Sequence, residues 1–185
     1  MRLSTLDPGL PRGLQAERML ISSDLSCILD HALRERAAGK GTLPALLGLP
    51  PQVVARLAER WFSATTLPDL DQPAPERLSD QDAIARLLLW RGGLADEDTK
   101  ALAFIIARRA MEGSHLWEDL GLACRPALTT LMRRHFPKIA AANTQNMRWK
   151  KFFYRQICAD TEFALCLSPT CTECPEYHDC FAPSD

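Results

Sequence analysis

The chain lacks the sequence features of most enzyme classes and of membrane proteins. Its longest apolar stretch, Ala101 to Ala107, is far shorter than the roughly 20 residues that span a bilayer, and its N-terminus lacks the basic segment and apolar run of a signal peptide. It has no glycine-rich nucleotide loop, no Ser/His/Asp order and no carboxylate pair in a supporting context. We therefore expect a cytoplasmic protein that is not an enzyme and does not enter a membrane.

The chain also lacks an excess of charge of either sign. Its 22 Lys and Arg residues nearly balance its 23 Asp and Glu residues, so the net charge of -1 gives no global attraction to nucleic acid or to anionic membranes. A length of 185 residues is enough for one hydrophobic core and a small metal-stapled tail. We expect no nucleic-acid partner, and any binding surface has to be local.

Cysteine, in contrast, is concentrated near the end of the chain. Four of the seven cysteines, Cys166, Cys171, Cys174 and Cys180, follow the spacing C-x4-C-x2-C-x5-C. Prolines and turn-forming residues between them disfavour a long helix, so the thiolates can fold inward around a common centre. In a reducing cytoplasm such a cluster indicates a metal site rather than a disulfide framework.

The compactness of this cysteine motif bears on the identity of the metal. Zinc sites favour paired C-x2-C knuckles separated by a long insert, whereas here a single C-x2-C lies among four thiolates within one short loop. This favours an iron–sulfur cluster, [3Fe-4S] or [4Fe-4S], which one loop can wrap. Zinc and a disulfide pairing remain alternatives.

Hydrophobic periodicity predicts the fold class. Apolar residues recur at spacings of three and four, and no stretch alternates convincingly with period two. We predict an all-α, multi-helix globular domain with a C-terminal four-cysteine metal-cluster loop. Its divisions are a flexible arm at 1–13, a helical domain at 14–160 with a loop at 65–78, and the cluster loop at 161–185.

Start and stop signals place the individual helices. In the first half of the chain the predicted elements are a helix after Ser23 and Asp24 ending near Gly39, an apolar turn from Leu43 to Leu49, and a helix from Pro51 to about Phe62. Two helices follow, one capped by Ser79 and stopped by Gly92 and Gly93, and one from Asp96 to Arg109. The remaining elements are a short helix capped by Ser114 and closed by Gly121, a helix from Pro126 to His135, and a last helix from Met147 to Cys158. In the helix after Ser79, Trp90 is expected to face the core.

The last helix has an apolar and a basic side. At 100° per residue one arc holds Trp149, Phe152, Phe153 and Ile157, and the opposite side holds Lys151, Tyr154, Arg155 and Cys158. A cluster with four thiolate ligands is anionic, so the cations, together with Arg148, could stabilise it or contact an oxyanion or a partner. The alternative is a solvated basic face. Cys158 is a possible additional metal ligand.

Histidines supply the remaining candidate ligands. His115 and His178 are possible additional ligands, although His115 could be structural and a loop with four sulfurs does not need His178. Cys27 and His31, four residues apart on a helix, are interpreted as a small buried cysteine beside a partly exposed histidine. His135 is interpreted as a helix-end residue.

Several of these segments together resemble the NifQ family. The resemblance covers roughly residues 79–181 and is strongest in HLWEDLGL (115–122), RRHFP (133–137), NMRWKKFFYRQIC (146–158) and CLSPTCTECPEYHDCF. Residues 1–78 match only through general features such as LPALLGLP, and the four-cysteine pattern shows no departure from the family.

The resemblance implies a function. NifQ proteins handle molybdenum in the assembly of the nitrogenase iron–molybdenum cofactor, so Cys166, Cys171, Cys174 and Cys180 are expected to hold an iron–sulfur cluster that incorporates molybdenum. The expected partners are molybdate and the scaffold and reductase proteins of cofactor assembly. The alternatives are a zinc-stapled interaction module and a helical DNA glycosylase with a C-terminal iron–sulfur loop. The glycosylase alternative lacks its helix-hairpin-helix motif and its catalytic Lys or Asp here.

Overall fold

The structure is a computed structural model, and it describes residues 11–62, 67–73, 75–94 and 96–160. Within these ranges the chain forms helices and no strand, which confirms the all-helical fold class. The helices are α1 (Arg12–Ala37), α2 (Leu43–Leu47), α3 (Pro51–Phe62), α4 (Ser79–Arg91), α5 (Glu97–Ala110), α6 (Leu116–Asp119), α7 (Arg125–His135), α8 (Pro137–Ala142) and α9 (Trp149–Asp160). The predicted cysteine loop at 161–185 lies outside the described residues.

Helix α1 begins earlier than its sequence signals indicate. It starts at Arg12, so Ser23 and Asp24 lie inside the helix and do not cap it. Asp24 instead accepts hydrogen bonds from Arg134 and, at 3.1 Å, from the His135 ring Nε2. The helix has 26 residues, yet no helix within the described ranges is long and apolar enough to cross a bilayer.

Helix α2 replaces the predicted apolar turn. The hydroxyl of Thr42 accepts a hydrogen bond from the Ala45 N–H at 3.4 Å, which caps the first turn. Asp69, in the predicted loop at 65–78, accepts from the Leu43 N–H at 3.0 Å and from Arg36 Nε and Nη2 at 2.6 and 2.7 Å. The described part of that loop is therefore tied to α1 and α2. The proposed division of the chain into an arm, a domain and a loop stays a prediction.

Helix α5 forms the centre of the core. Its N-cap Asp96 accepts from the backbone N–H groups of Asp98 and Thr99, as the acidic start of this helix predicts. The predicted core residues are buried, along with others on nearly every side of the helix: Ala101, Leu102, Ala103, Ile105, Ile106, Ala107 and Ala110. A helix buried on several sides has to be surrounded, and α5 packs against α2, α4 and α6.

Helix α4 contradicts two predictions. Ser79 is its first helical residue and Leu78 is the N-cap, without a side-chain hydrogen bond. Trp90 does not face the core, because its side chain is 86% exposed. Trp90 follows the buried Leu88 by two residues, which at 100° per residue places it about 200° further round, on the opposite side of the helix. The hydrophobicity of tryptophan therefore predicted its burial wrongly, whereas the helical period predicts its exposure correctly.

The segment from α6 to α8 differs from the prediction at its boundaries. His115, rather than Ser114, is the N-cap of α6, and α7 begins one residue before Pro126. A separate helix, α8, starts at Pro137 and was not predicted. Phe136 lies between the two helices with φ -136° and ψ 58°, since a residue before proline disfavours the helical conformation.

Candidate metal centre

The predicted ligands Cys166, Cys171, Cys174, Cys180 and His178 lie outside the described residues, so their role stays a prediction. Helix α9 delivers the chain to them, and Cys166 follows its last residue, Asp160, by six positions. Chain connectivity limits six residues to about 22 Å. Cys166 therefore lies within this distance of the C-terminal end of α9, and the packing of α9 bears on the candidate metal centre for this reason.

The apolar side of α9 is firmly packed, as the sequence predicts. Trp149, Phe152 and Phe153 are at most 4% exposed, and Ile157 is half-buried against the same core. The ring of Trp149 meets the Phe152 ring edge-on at 5.7 Å between centroids, and its indole N–H lies 3.4 Å from the Thr129 hydroxyl. Three buried aromatic rings contribute much of the packing energy of a short helix.

Lys150 holds the first turn of α9 in place, and no sequence pattern indicated this role. Its ammonium group donates to the carbonyls of Glu112 and Ser114 at 2.6 and 2.7 Å and to the carboxylate of Asp119 at 2.7 Å. An ammonium group has three protons, so all of its donors have acceptors. These acceptors lie just after α5 and at the end of α6, and Lys150 therefore joins three helices.

Burial dominates the electrostatics of this contact. Asp119 is 8% exposed, and burial raises the pKa of its carboxyl group above the ordinary 3.8 despite the hydrogen bond from Lys150. The ionised form of Asp119 is therefore less favourable here than in water. This is typical of a buried ion pair that holds a geometry rather than adding net stability.

The basic side of α9 is partly accessible. Arg155 is exposed, and its Nη1 contacts the neutral Gln145 Oε1 at 3.5 Å and Met147 Sδ at 3.6 Å. Lys151 lies one turn earlier and is half-buried. Cys158 is in the last turn of α9, where the structure does not describe its side chain. Residues 151, 155 and 158 share a helical face by their spacing.

His115 is placed away from the end of α9 that leads to the cysteines. It is exposed, its ring stacks on Trp117 at 6.4 Å between centroids, and its backbone N–H donates to Glu118 at 2.9 Å. It follows Ser114, whose carbonyl holds Lys150 at the start of α9, and that helix rises about 15 Å over its next ten residues. Its role as an additional ligand stays a prediction.

The other candidate residues have structural partners. His31 pairs with Glu35 at 3.5 Å, and burial lowers the pKa of the imidazole. Cys27 is exposed, so the prediction that it is buried was wrong. His135 ends α7 as predicted but is also buried, at 3% exposure, against Asp24.

Two features make the described residues unlike a second metal site. They contain no group of three or more His, Cys, Asp or Glu side chains that could hold a metal ion. The half-buried carboxylate of Glu35 instead pairs with Arg109, whose side chain is 1% exposed. Burial alone would raise the pKa of Glu35, but the hydrogen bond and charge of Arg109 lower it overall.

The described fold and the sequence together define a class of protein: a helical domain whose last described helix, α9, is followed by a four-cysteine segment. The family model described as NifQ matches residues 25–182, so the chain belongs to the NifQ family. This confirms the resemblance seen in the sequence. The match also extends the resemblance toward the N-terminus, because it includes the second half of α1 and all of α2 and α3.

Individual relatives agree with this assignment. Protein NifQ of Rhodobacter capsulatus is 55% identical over 86% of this chain and 88% of its own length. The NifQ homolog of Sinorhizobium fredii is 39% identical over 86% of this chain and 71% of its own, and NifQ of Azotobacter vinelandii is 35% identical over 83% and 86%. No solved structure matches the chain.

Proposed function

We propose that this chain receives molybdenum at an iron–sulfur cluster held by Cys166, Cys171, Cys174 and Cys180 and donates it to the scaffold on which the nitrogenase iron–molybdenum cofactor is built. Membership in the NifQ family supports a role in molybdenum handling for nitrogen fixation. The observation that carries the cluster assignment is the donor set, because four thiolates in C-x4-C-x2-C-x5-C spacing suit iron and reduced molybdenum.

The donor set fits this cargo better than it fits a reaction centre. The cluster would supply sulfide ligands to molybdenum, and the four thiolates would hold the cluster to the protein. Among the described residues, the carboxylates of Asp119 and Glu35 are engaged in ion pairs with Lys150 and Arg109. We therefore propose a metal donor rather than an enzyme.

Single replacements of the four cysteines test the assignment. Serine at Cys166, Cys171, Cys174 or Cys180 should remove most bound iron and molybdenum, because a hydroxyl group is a poor substitute for a soft thiolate. Helical content should stay close to that of the parent, since the core of α1 to α9 is built from other residues.

The chain provides matched controls for this experiment. Cys27 and Cys124 are exposed and lie outside the motif, so Cys27→Ser and Cys124→Ser should keep the metal content of the parent. Unchanged iron in all four motif variants, or equal losses in the two controls, would exclude the proposed cluster site. Zinc in place of iron would favour the zinc-stapled alternative.

The basic side of α9 gives molybdate a path to this site. Molybdate and a thiolate-bound cluster are both anionic, and Arg155 is an exposed cation on the helix that leads into the ligand segment. We propose that Lys151 and Arg155, with Cys158 on the same face, flank the cluster and favour molybdate entry or molybdenum transfer.

Charge removal on this face tests the role. The double variant Lys151→Gln/Arg155→Gln should retain iron but carry less molybdenum, and its loading should depend less on added salt than that of the parent. A charge-matched control is the double variant of two exposed arginines on other helices, Arg56→Gln/Arg133→Gln. If the α9 variant loads molybdenum like the parent at low ionic strength, the face is only solvated.

A further inference from the structure

Trp90 is exposed in a way that packing does not explain. Among the four tryptophans of the chain, Trp61 and Trp149 are buried, Trp117 is half-buried and Trp90 is 86% exposed. An exposed indole leaves a large apolar surface in water. Tryptophan is also the residue type most enriched among the energetic centres of protein interfaces.

Two cations lie on the same part of the helical domain as this indole. Arg86 lies one turn earlier on the same side of α4 and is exposed, and Leu94, 43% exposed, follows the end of the helix. Lys138 lies against the end of α4: its N–H donates to the Gly92 carbonyl at 3.0 Å, and a Cβ at Gly93 would be 2.9 Å from its Cγ. We call Arg86, Trp90, Leu94 and Lys138 the Trp90 surface.

The positive charge of the Trp90 surface is not neutralised within the described residues. Arg86 and Lys138 form no ion pair there, and Asp82, one turn before Arg86 on α4, pairs with Arg77 at 3.4 Å. A symmetric pairing with a second copy would bring like charges together. An acidic partner would instead bring opposite charges together.

The Trp90 surface lies at the end of the bundle where the chain leaves for the cysteines. Arg91, the neighbour of Trp90, donates to Gln156 of α9 at 3.3 Å, and Gln156 is four residues before the end of α9. A protein bound to the Trp90 surface would therefore lie beside the last turn of α9.

We propose that the Trp90 surface docks an acidic protein that accepts molybdenum from this chain, with carboxylates of the partner facing Arg86 and Lys138 and an apolar pocket receiving the indole of Trp90. This inference rests on the proposed function for the identity of the partner, and it adds the surface that the partner contacts. Two flanking cations are too few for a nucleic-acid site, which tracks a longer run of phosphates.

Calorimetric titration of the full chain with purified, metal-free cofactor-assembly scaffold protein tests the proposal. Trp90→Ala should weaken binding by about 30-fold or more, the loss typical of an interface hot spot. Arg86→Gln/Lys138→Gln should weaken it by about 10-fold at low salt and less at high salt. The matched controls are Leu78→Ala, which removes a 61% exposed side chain at the other end of α4, and Arg56→Gln on α3.

Each other outcome overturns the docking proposal. These outcomes are no binding of the scaffold by the parent, binding that Trp90→Ala leaves unchanged, self-association of the chain that Trp90→Ala abolishes, and binding of duplex DNA that Arg86→Gln/Lys138→Gln abolishes. Iron and molybdenum are measured in the same variants. Trp90 is remote in sequence from the cysteines, so its replacement should not change metal binding. Normal metal content together with failed docking would therefore refute the docking proposal without refuting the proposed function.

Discussion

Replacing Lys150 with methionine should destabilise the protein at neutral pH by about 2 kcal/mol. The variant keeps the apolar stem but leaves the buried carboxylate of Asp119 and two backbone carbonyls without their donor. Breaking a fully buried ion pair from one side costs about 3–5 kcal/mol, and Lys150 is 22% exposed, so water reduces the penalty. For a chain of this size such a loss lowers Tm by about 4–8 °C.

The pH dependence gives this prediction a second test. Folded Asp119 holds its proton more tightly than the unfolded chain does, so the contribution of this carboxyl group to stability decreases as the pH rises through its ordinary 3.8 toward its raised folded pKa. Without Lys150 the folded pKa should rise further. The difference in stability between parent and variant should therefore shrink in acid, where a protonated Asp119 needs no cation.

Urea unfolding followed by circular dichroism measures both effects. Lys138→Met, on an exposed lysine, is the control and should change stability by less than about 0.5 kcal/mol. Asp119→Asn in the Lys150→Met background should recover part of the loss, with a coupling energy of about 1–2 kcal/mol. Equal stability of Lys150→Met and parent at neutral pH, or a loss independent of pH, would refute the role of this contact.

Three further predictions concern other contacts and the cell. Arg36 and the Leu43 N–H hold the pKa of Asp69 at about 2, so Asp69→Asn should lower stability above pH 3.8 and match the parent once the pH falls through about 2, as acid titrations will show. In urea unfolding, Glu35→Gln should lower the free energy of unfolding more than Arg109→Met does. Glu35→Gln leaves the buried cation of Arg109 unpaired, whereas Arg109→Met leaves Glu35 paired with Lys40 at 3.3 Å. Cells lacking the protein should fix nitrogen poorly when molybdate is scarce and recover when it is abundant, whereas an equal defect at every molybdate level would argue against a donor.

The sequence predicted those parts of the fold that depend on periodicity. The arcs of α5 and α9 and the bounds of α3 follow from amphipathic spacing and a starting proline, and the structure confirms them. The period also places Trp90 on the exposed side of α4, and the prediction failed because hydrophobicity was given more weight.

The remaining contacts depend on residues far apart in the chain. Asp24 looks like a helix cap in sequence, but its partner Arg134 is 110 residues away, and Lys150 pairs with Asp119 over 31 residues. No local pattern encodes such pairs, because they form only when the helices pack. The prediction of the four cysteine ligands rests on their spacing and on the family resemblance. Because the four cysteines lie within one short segment, this prediction requires no knowledge of how the helices pack.

Elemental analysis with electron paramagnetic resonance tests the central claim most directly. The full chain is made in cells supplied with molybdate and purified without oxygen, so that an iron–sulfur cluster survives. We expect iron and molybdenum to be bound together, with an iron–sulfur signal in at least one oxidation state and little zinc. Zinc without iron, or iron–sulfur without molybdenum at any molybdate supply, would contradict the account.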